Sequence, residues 1–140
     1  MYAVIRLRGT VNLAPKARKT LDLLGLKRIN NLSLQMENEQ SRKMIKSVED
    51  FVTYGKINEV TLKELVEKRA RAIKGKIDSK KVLAELKAGK TVKEAGVRNL
   101  FTMSSPQGGF ERKGIKVPYK LGGALGNRNE EINELIKRML

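Results

Sequence analysis

The 140 residues carry 30 lysines and arginines against 15 aspartates and glutamates, a net charge of +15, with no cysteine, histidine or tryptophan. A disulfide framework, a thiolate zinc site and a cysteine nucleophile are thereby excluded, as are a Ser-His-Asp triad and the usual general base near neutral pH. Such a surplus of positive charge repels itself unless something anionic neutralises it, and no apolar run approaches the about 20 residues of a membrane span.

The start, Met1-Tyr2-Ala3-Val4-Ile5-Arg6, lacks the basic and then apolar regions of a signal peptide, so the expected setting is a reducing cytoplasm. Residues 2–8 predict a strand, with Ala3, Ile5 and Leu7 on one face and Tyr2, Val4, Arg6 and Arg8 on the other. Pro15 suits the first position of a helix that carries Ala17, Leu21 and Leu24 at helical spacing and stops at Gly25. Leu32, Leu34 and Met36 alternate in a second strand. Asn38 can cap a helix with Met44, Ile45 and Val48 inward, and residues 51–54 form a third strand. Residues 1–54 thus read β-α-β-α-β.

Beyond Gly55 the pattern becomes helical. Thr61-Leu62-Lys63-Glu64 has the form of a capping box, followed by Leu62, Leu65, Val66, Arg69, Ala70 and Ile73 at helical spacing up to Gly75. Asp78 or Ser79 starts another helix with Val82, Leu83 and Leu86, ended by Gly89. Thr91-Val92-Lys93-Glu94 is a second capping box, before a short turn to Gly96. Residues 97–128 read as a long irregular segment, rich in glycine, with Glu111 as its one acid. Like charges and glycines predict that this segment is mobile alone and settles on an anionic partner. A helix is expected over residues 129–140, with Glu130 and Glu131 in its first turn and an inward stripe of Ile132, Leu135, Ile136 and Met139.

The basic residues form three groups, each a candidate phosphate-binding surface. The first is Arg6, Arg8, Lys16, Arg18, Lys19, Lys27 and Arg28, opposed within residues 1–30 by Asp22 alone. A solvated charged face is the alternative, but such faces normally mix signs. The second is Lys68, Arg69, Arg71, Lys74, Lys76, Lys80 and Lys81. Of these, Arg69 falls near the apolar stripe and suits packing as well as contact. The third is Arg98, Arg112, Lys113, Lys116, Lys120 and Arg128 among the glycines. Gly122 and Gly123 fit neither a Walker loop nor a dinucleotide fingerprint. They suit close approach of backbone to RNA, a flexible surface loop being the alternative, and the amides that begin the last helix lie next to Arg128 as a further phosphate site. Aromatic residues are too few for a base-stacking sheet, so recognition should rest on shape and phosphates. A DNA-binding protein would need a base-reading helix or a dimer, and no convergent catalytic constellation is visible. No catalytic, metal-binding or cofactor-binding residue is assigned.

Longer motifs carry a resemblance. Ile5-Arg6-Leu7-Arg8-Gly9, Pro15-Lys16-x-Arg18-Lys19, Leu21-x-x-Leu24-Gly25-Leu26-Lys27-Arg28 and Met44-Ile45-x-x-Val48-x-x-Phe51-Val52 are joined by Ser104-Ser105-Pro106-x-Gly108-Gly109, Gly122-Gly123-x-x-Gly126-Asn127-Arg128 and Ile132-Asn133-x-Leu135-Ile136-x-Arg138-Met139. Together they resemble the ribosomal protein L-thirty family in its long archaeal and eukaryotic form. The basic N-terminal extension of eukaryotic members is missing, and their aromatic-rich stretch after the third strand is reduced to Tyr54-Gly55-Lys56. The resemblance implies an α+β fold: a three-stranded antiparallel sheet with two helices on one face, a truncated ferredoxin-like core over residues 1–55. To this, residues 56–140 add a mostly helical and glycine-rich basic extension. It implies a structural, non-catalytic place in the cytoplasmic large ribosomal subunit. The implied partners are large-subunit ribosomal RNA, 5S ribosomal RNA and neighbouring ribosomal proteins, with no cofactor, membrane or small-molecule substrate.

Overall fold

The computed structural model describes residues 1–73, 78–89, 91, 92 and 94–140. Among these described residues, five α-helices and five strands follow in the order β1 (Tyr2–Arg6), α1 (Pro15–Leu23), β2 (Asn31–Gln35), α2 (Glu39–Ser47), β3 (Val52–Lys56), α3 (Glu59–Arg69), α4 (Ser79–Lys87), β4 (Phe101–Thr102), β5 (Gly126–Asn129) and α5 (Ile132–Met139), with a short 3-10 turn at Tyr119–Leu121 before β5. The strands form one sheet in the order β4-β2-β1-β3-β5. β1 runs antiparallel to β2 and β3, β4 is antiparallel to β2, and β5 is parallel to β3. The expected three antiparallel strands are therefore the centre of a five-stranded mixed sheet. Both edges come from the segment that the sequence marks as irregular.

Alternation along β1 explains the layering, because successive side chains leave opposite faces of a strand. Val4 packs with Leu21 of α1, Leu24 and Leu26 just after it, Ile45 of α2, Val48 at its end and Val52 of β3. Ala3, Ile5 and Leu7 point the other way, into a larger cluster with Leu65 of α3, Val82 of α4, Phe101 of β4 and Ile132, Leu135 and Ile136 of α5. The sheet is thus covered on both faces.

Several boundaries differ from the sequence reading. Asn58, not Thr61, begins α3: its side chain accepts from the Thr61 amide at 2.8 Å, one turn earlier than the expected box. Thr61 is buried inside the helix, and its hydroxyl has no hydrogen-bond partner. The helix ends at Arg69, where Ala70 turns extended, so Ile73 lies outside it. The second capping box forms as expected, with the Thr91 amide donating to Glu94 and the Glu94 amide to the Thr91 hydroxyl. α5 begins at Ile132, so Glu130 and Glu131 precede its first helical turn.

The segment 97–128 is woven into the protein. Asn99 extends the β2 edge beyond β4: its side chain accepts from the Leu34 amide at 2.8 Å and donates to the Leu34 carbonyl at 2.7 Å. Leu125 bridges residues 117–119 in parallel, its amide donating to the Val117 carbonyl and its carbonyl accepting from the Tyr119 amide. Met103, Pro106, Ala124 and Leu125 are buried. The expected mobility of this segment thus meets a structure in which protein groups already satisfy much of its backbone.

Candidate nucleic-acid interface

The basic side chains fall into two physical classes. Arg6 is 2% exposed. It leaves β1 under the loop that follows α1, and there its guanidinium donates to four carbonyls: Leu26 at 2.8 Å, Lys27 and Arg8 at 2.9 Å and Gly9 at 3.1 Å. Burial pulls its pKa below the ordinary value, with Asp22 acting in the opposite direction. The carbonyl cage is the compensation that a buried cation requires. Arg128 is 3% exposed. Its Nη1 and Nη2 donate to the two oxygens of Glu111, its Nε to the Thr53 hydroxyl at 2.9 Å, and Nη2 also to the Ala124 carbonyl at 3.2 Å. Each guanidinium makes four hydrogen bonds to protein acceptors and holds loops to the sheet.

The second class faces solvent. Lys16, Arg18 and Lys19 on α1, Lys27 and Arg28 after it, Lys68 on α3, and Arg71, Arg98, Arg112, Lys113, Lys116 and Lys120 are all exposed. Arg8 is half-buried, with its guanidinium 5.1 Å from the Phe51 ring centroid and donating to the Asp50 carbonyl at 3.2 Å. Arg69 turns inward on the chain's end, donating to the Ser104 hydroxyl and the Leu140 carbonyl, both at 2.8 Å. Lys74 and Lys76 lie outside the described residues.

Three groupings result. Arg8 of the first cluster meets Lys116 and Lys120 of the third around one cleft of about 340 Å³. Arg71 and Arg98 are joined by a backbone bond, Arg98 N to Arg71 O at 2.9 Å, beside the Ala72–Val97 bridge. The cations of α1 and the turn after it form the third.

The glycines answer to the protein first. A Cβ on Gly123 would lie 2.0 Å from the Val117 carbonyl oxygen, so close backbone approach within the chain requires glycine there. Gly122 is exposed at φ +87°, closing the turn of residues 119–121. The residues that sequence reasoning passed over are Arg42, Lys46 and Lys56, which line a cleft of about 310 Å³ with Tyr2 and Tyr54. Glu37 accepts from Arg42 at 2.8 Å and from the Tyr2 hydroxyl at 3.0 Å, and these bonds hold its pKa below the ordinary carboxylate value. Strand pairing brings Tyr2 and Tyr54 together; no local motif signals it.

Among the described residues no helix is long and apolar enough to cross a membrane, and no group of three or more carboxylates could hold a metal ion.

A family model described as ribosomal protein L30p/L7e matches residues 2–52. Relatives matched over nearly their whole length are named large ribosomal subunit protein uL30. The large ribosomal subunit protein uL30 of Nanoarchaeum equitans is 39% identical, covering 100% of this chain and 99% of the relative. That of Aeropyrum pernix is 38% identical with 100% and 99% covered, and that of Methanococcus vannielii 36% identical with 99% of each.

Proposed function

The chain belongs to the ribosomal protein L30p/L7e family, whose members are structural ribosomal proteins and not enzymes, and from that premise we propose that it is a constituent of the large ribosomal subunit that binds ribosomal RNA through its exposed cations. The contacting set is Arg8, Lys16, Arg18, Lys19, Lys27, Arg28, Lys68, Arg71, Arg98, Arg112, Lys113, Lys116 and Lys120, with Lys74 and Lys76 from the stretch outside the described residues. Arg6, Arg128 and Gly123 shape the loops that carry these side chains, and Gly122 lies at the exposed end of one such loop. The partners are large-subunit RNA, 5S RNA and adjacent ribosomal proteins in the cytoplasm.

The observation that carries this reading is the split between the two classes of cation. Two arginines are buried and bonded to protein acceptors, whereas Lys16, Arg18, Lys19, Arg112, Lys113, Lys116 and Lys120 stand in solvent. Phosphate contact releases condensed counterions and turns that exposed charge into affinity. A chemical footprint of the protein on large-subunit RNA, beside 5S RNA and duplex DNA, tests it. Protection confined to a few sites on the ribosomal RNAs supports the reading. Equal, diffuse protection of the DNA sinks it.

A further inference from the structure

Resting on that reading, we propose that the cleft between the corner at residues 49–50 and the loop at 116–120 takes one unpaired RNA nucleotide, its base stacked on Tyr119 and its phosphate held by Arg8, Lys116 and Lys120. The cleft measures about 340 Å³, within the range of about 300–1,000 Å³ usual for small-molecule sites. It draws its lining from parts of the chain far apart in sequence: Arg8 after β1, Glu49 and Asp50 before β3, the loop, and Asn127 of β5. Tyr119, Lys120 and Asn127 also line a second, larger cleft of about 800 Å³ reaching Lys56 and Asn129. Arg128, Glu130 and Glu131 line that second cleft as well, and Arg128 covers one face of the Tyr119 ring, so the base takes the face turned away from Arg128.

Two features make this more than a phosphate cradle. The Tyr119 ring is fixed: the Arg128 guanidinium lies 4.4 Å from its centroid, and Arg128 is anchored by Glu111 and Thr53. A ring held in place stacks a base at little entropic cost. Glu49 and Asp50 stand in the same lining as the three cations. Carboxylates would repel a phosphate, but they accept from the amino edge of a base, as acidic side chains do with cytosine N4. Glu49 is half-buried, and its Oε1 would lie 3.0 Å from a Cβ on Gly126, another residue of the lining. The site thus selects a base with an exocyclic amine. Tyr119 does this beside an edge strand, without the aromatic sheet surface that base-stacking domains use.

The test uses the full chain and two labelled hexanucleotides, rC6 and rU6, which differ at each base in the 4-amino group against the 4-oxo group. Fluorescence anisotropy should find rC6 bound more tightly than rU6. Tyr119→Leu should weaken rC6 by about five- to 150-fold, the loss expected of one stacked base, without changing the slope of affinity against salt. Tyr119→Phe should bind as the wild type does. In the wild-type protein the Tyr119 ring resonances should move upfield on adding rC6, a readout that needs no variant. Equal affinity for rC6 and rU6, a Tyr119→Leu protein that binds undiminished, or unmoved ring resonances would overturn the proposal. If wild-type protein still binds large-subunit RNA in those cases, the inference falls alone. If it does not bind that RNA, the functional reading falls with it.

Discussion

Arg128 and Glu111 form a two-pronged ion pair, each guanidinium Nη donating to one carboxylate oxygen, with Arg128 on β5 and Glu111 in the loop before it. Arg138 of α5 adds a third bond to Glu111 at 3.4 Å. The single acid of the glycine-rich segment is thereby the point at which that segment, the edge strand and the last helix are tied.

Glu111→Gln should destabilise the free protein by about 3 kcal/mol, because it leaves the Arg128 charge buried without its counter-ion. Burial alone would raise the Glu111 pKa, but hydrogen bonds from Arg128 and the nearby Arg138 charge hold it below the ordinary value of 4.5. A depressed folded-state pKa stabilises above the unfolded value, and that contribution is lost as pH falls through the folded one. Urea titrations should therefore show wild-type stability declining below about pH 4.5, with a shallower decline in Glu111→Gln. Identical acid limbs would remove the ion pair from the account.

Arg6 separates cations that build the fold from cations that face a ligand. Arg6→Ala should cost about 2–5 kcal/mol, combining a buried cavity with lost charge-assisted bonds to carbonyls. Lys16→Ala and Lys19→Ala, both exposed, should move the melting midpoint within the scatter of surface changes, about 0.5 kcal/mol. A reversed ranking in melting curves would mean that the caged and free cations have been exchanged.

Leu21 is fully buried and Leu23, two positions on, is 70% exposed. Leu21→Ala and Leu65→Ala should each cost about 2–5 kcal/mol, and Leu23→Ala under about 1 kcal/mol. Chemical denaturation reads all three. A large loss at Leu23 would mean that this side chain is buried in the protein in solution and that the inward face of α1 has been misassigned.

Gly123→Ala should destabilise the RNA-free protein by at least about 2 kcal/mol, since its Cβ would meet backbone at 2.0 Å and the loop must shift. Gly9→Ala, with nothing within 4 Å, should be close to neutral. If Gly123→Ala melts normally and fails only in RNA binding, the glycine serves RNA approach, as the sequence alone suggests.

The core of residues 1–56 was legible because alternation and helical spacing there coincide with burial: Val4 against Ile5, and Leu21 on α1 with Leu24 at its end. β5 was not. Gly126-Asn127-Arg128-Asn129 holds no apolar residue and two types depleted in strands. It forms because Gly55 leaves room for it, a Cβ there falling 2.0 Å from the Asn129 carbonyl oxygen, and because Arg128 is paired. The start of α3 was misplaced because two capping patterns overlap, and Asn58, the stronger N-cap type, prevails over Thr61. In the candidate interface, composition marks a basic surface but cannot separate Arg6 from Arg8. Only the carbonyl cage around Arg6 does so.

The central claim is that exposed cations bind ribosomal RNA phosphates while buried ones hold the fold, and the salt dependence of binding tests it most directly. Log affinity for large-subunit RNA should fall linearly with log salt, by about 0.7–0.9 per phosphate contacted. Lys16→Ala, Arg18→Ala and Lys19→Ala should each lessen the slope by about that amount, whereas Glu111→Gln, assayed where it remains folded, should leave it unchanged. A slope near zero, or one that the lysine and arginine replacements do not alter, would contradict the account.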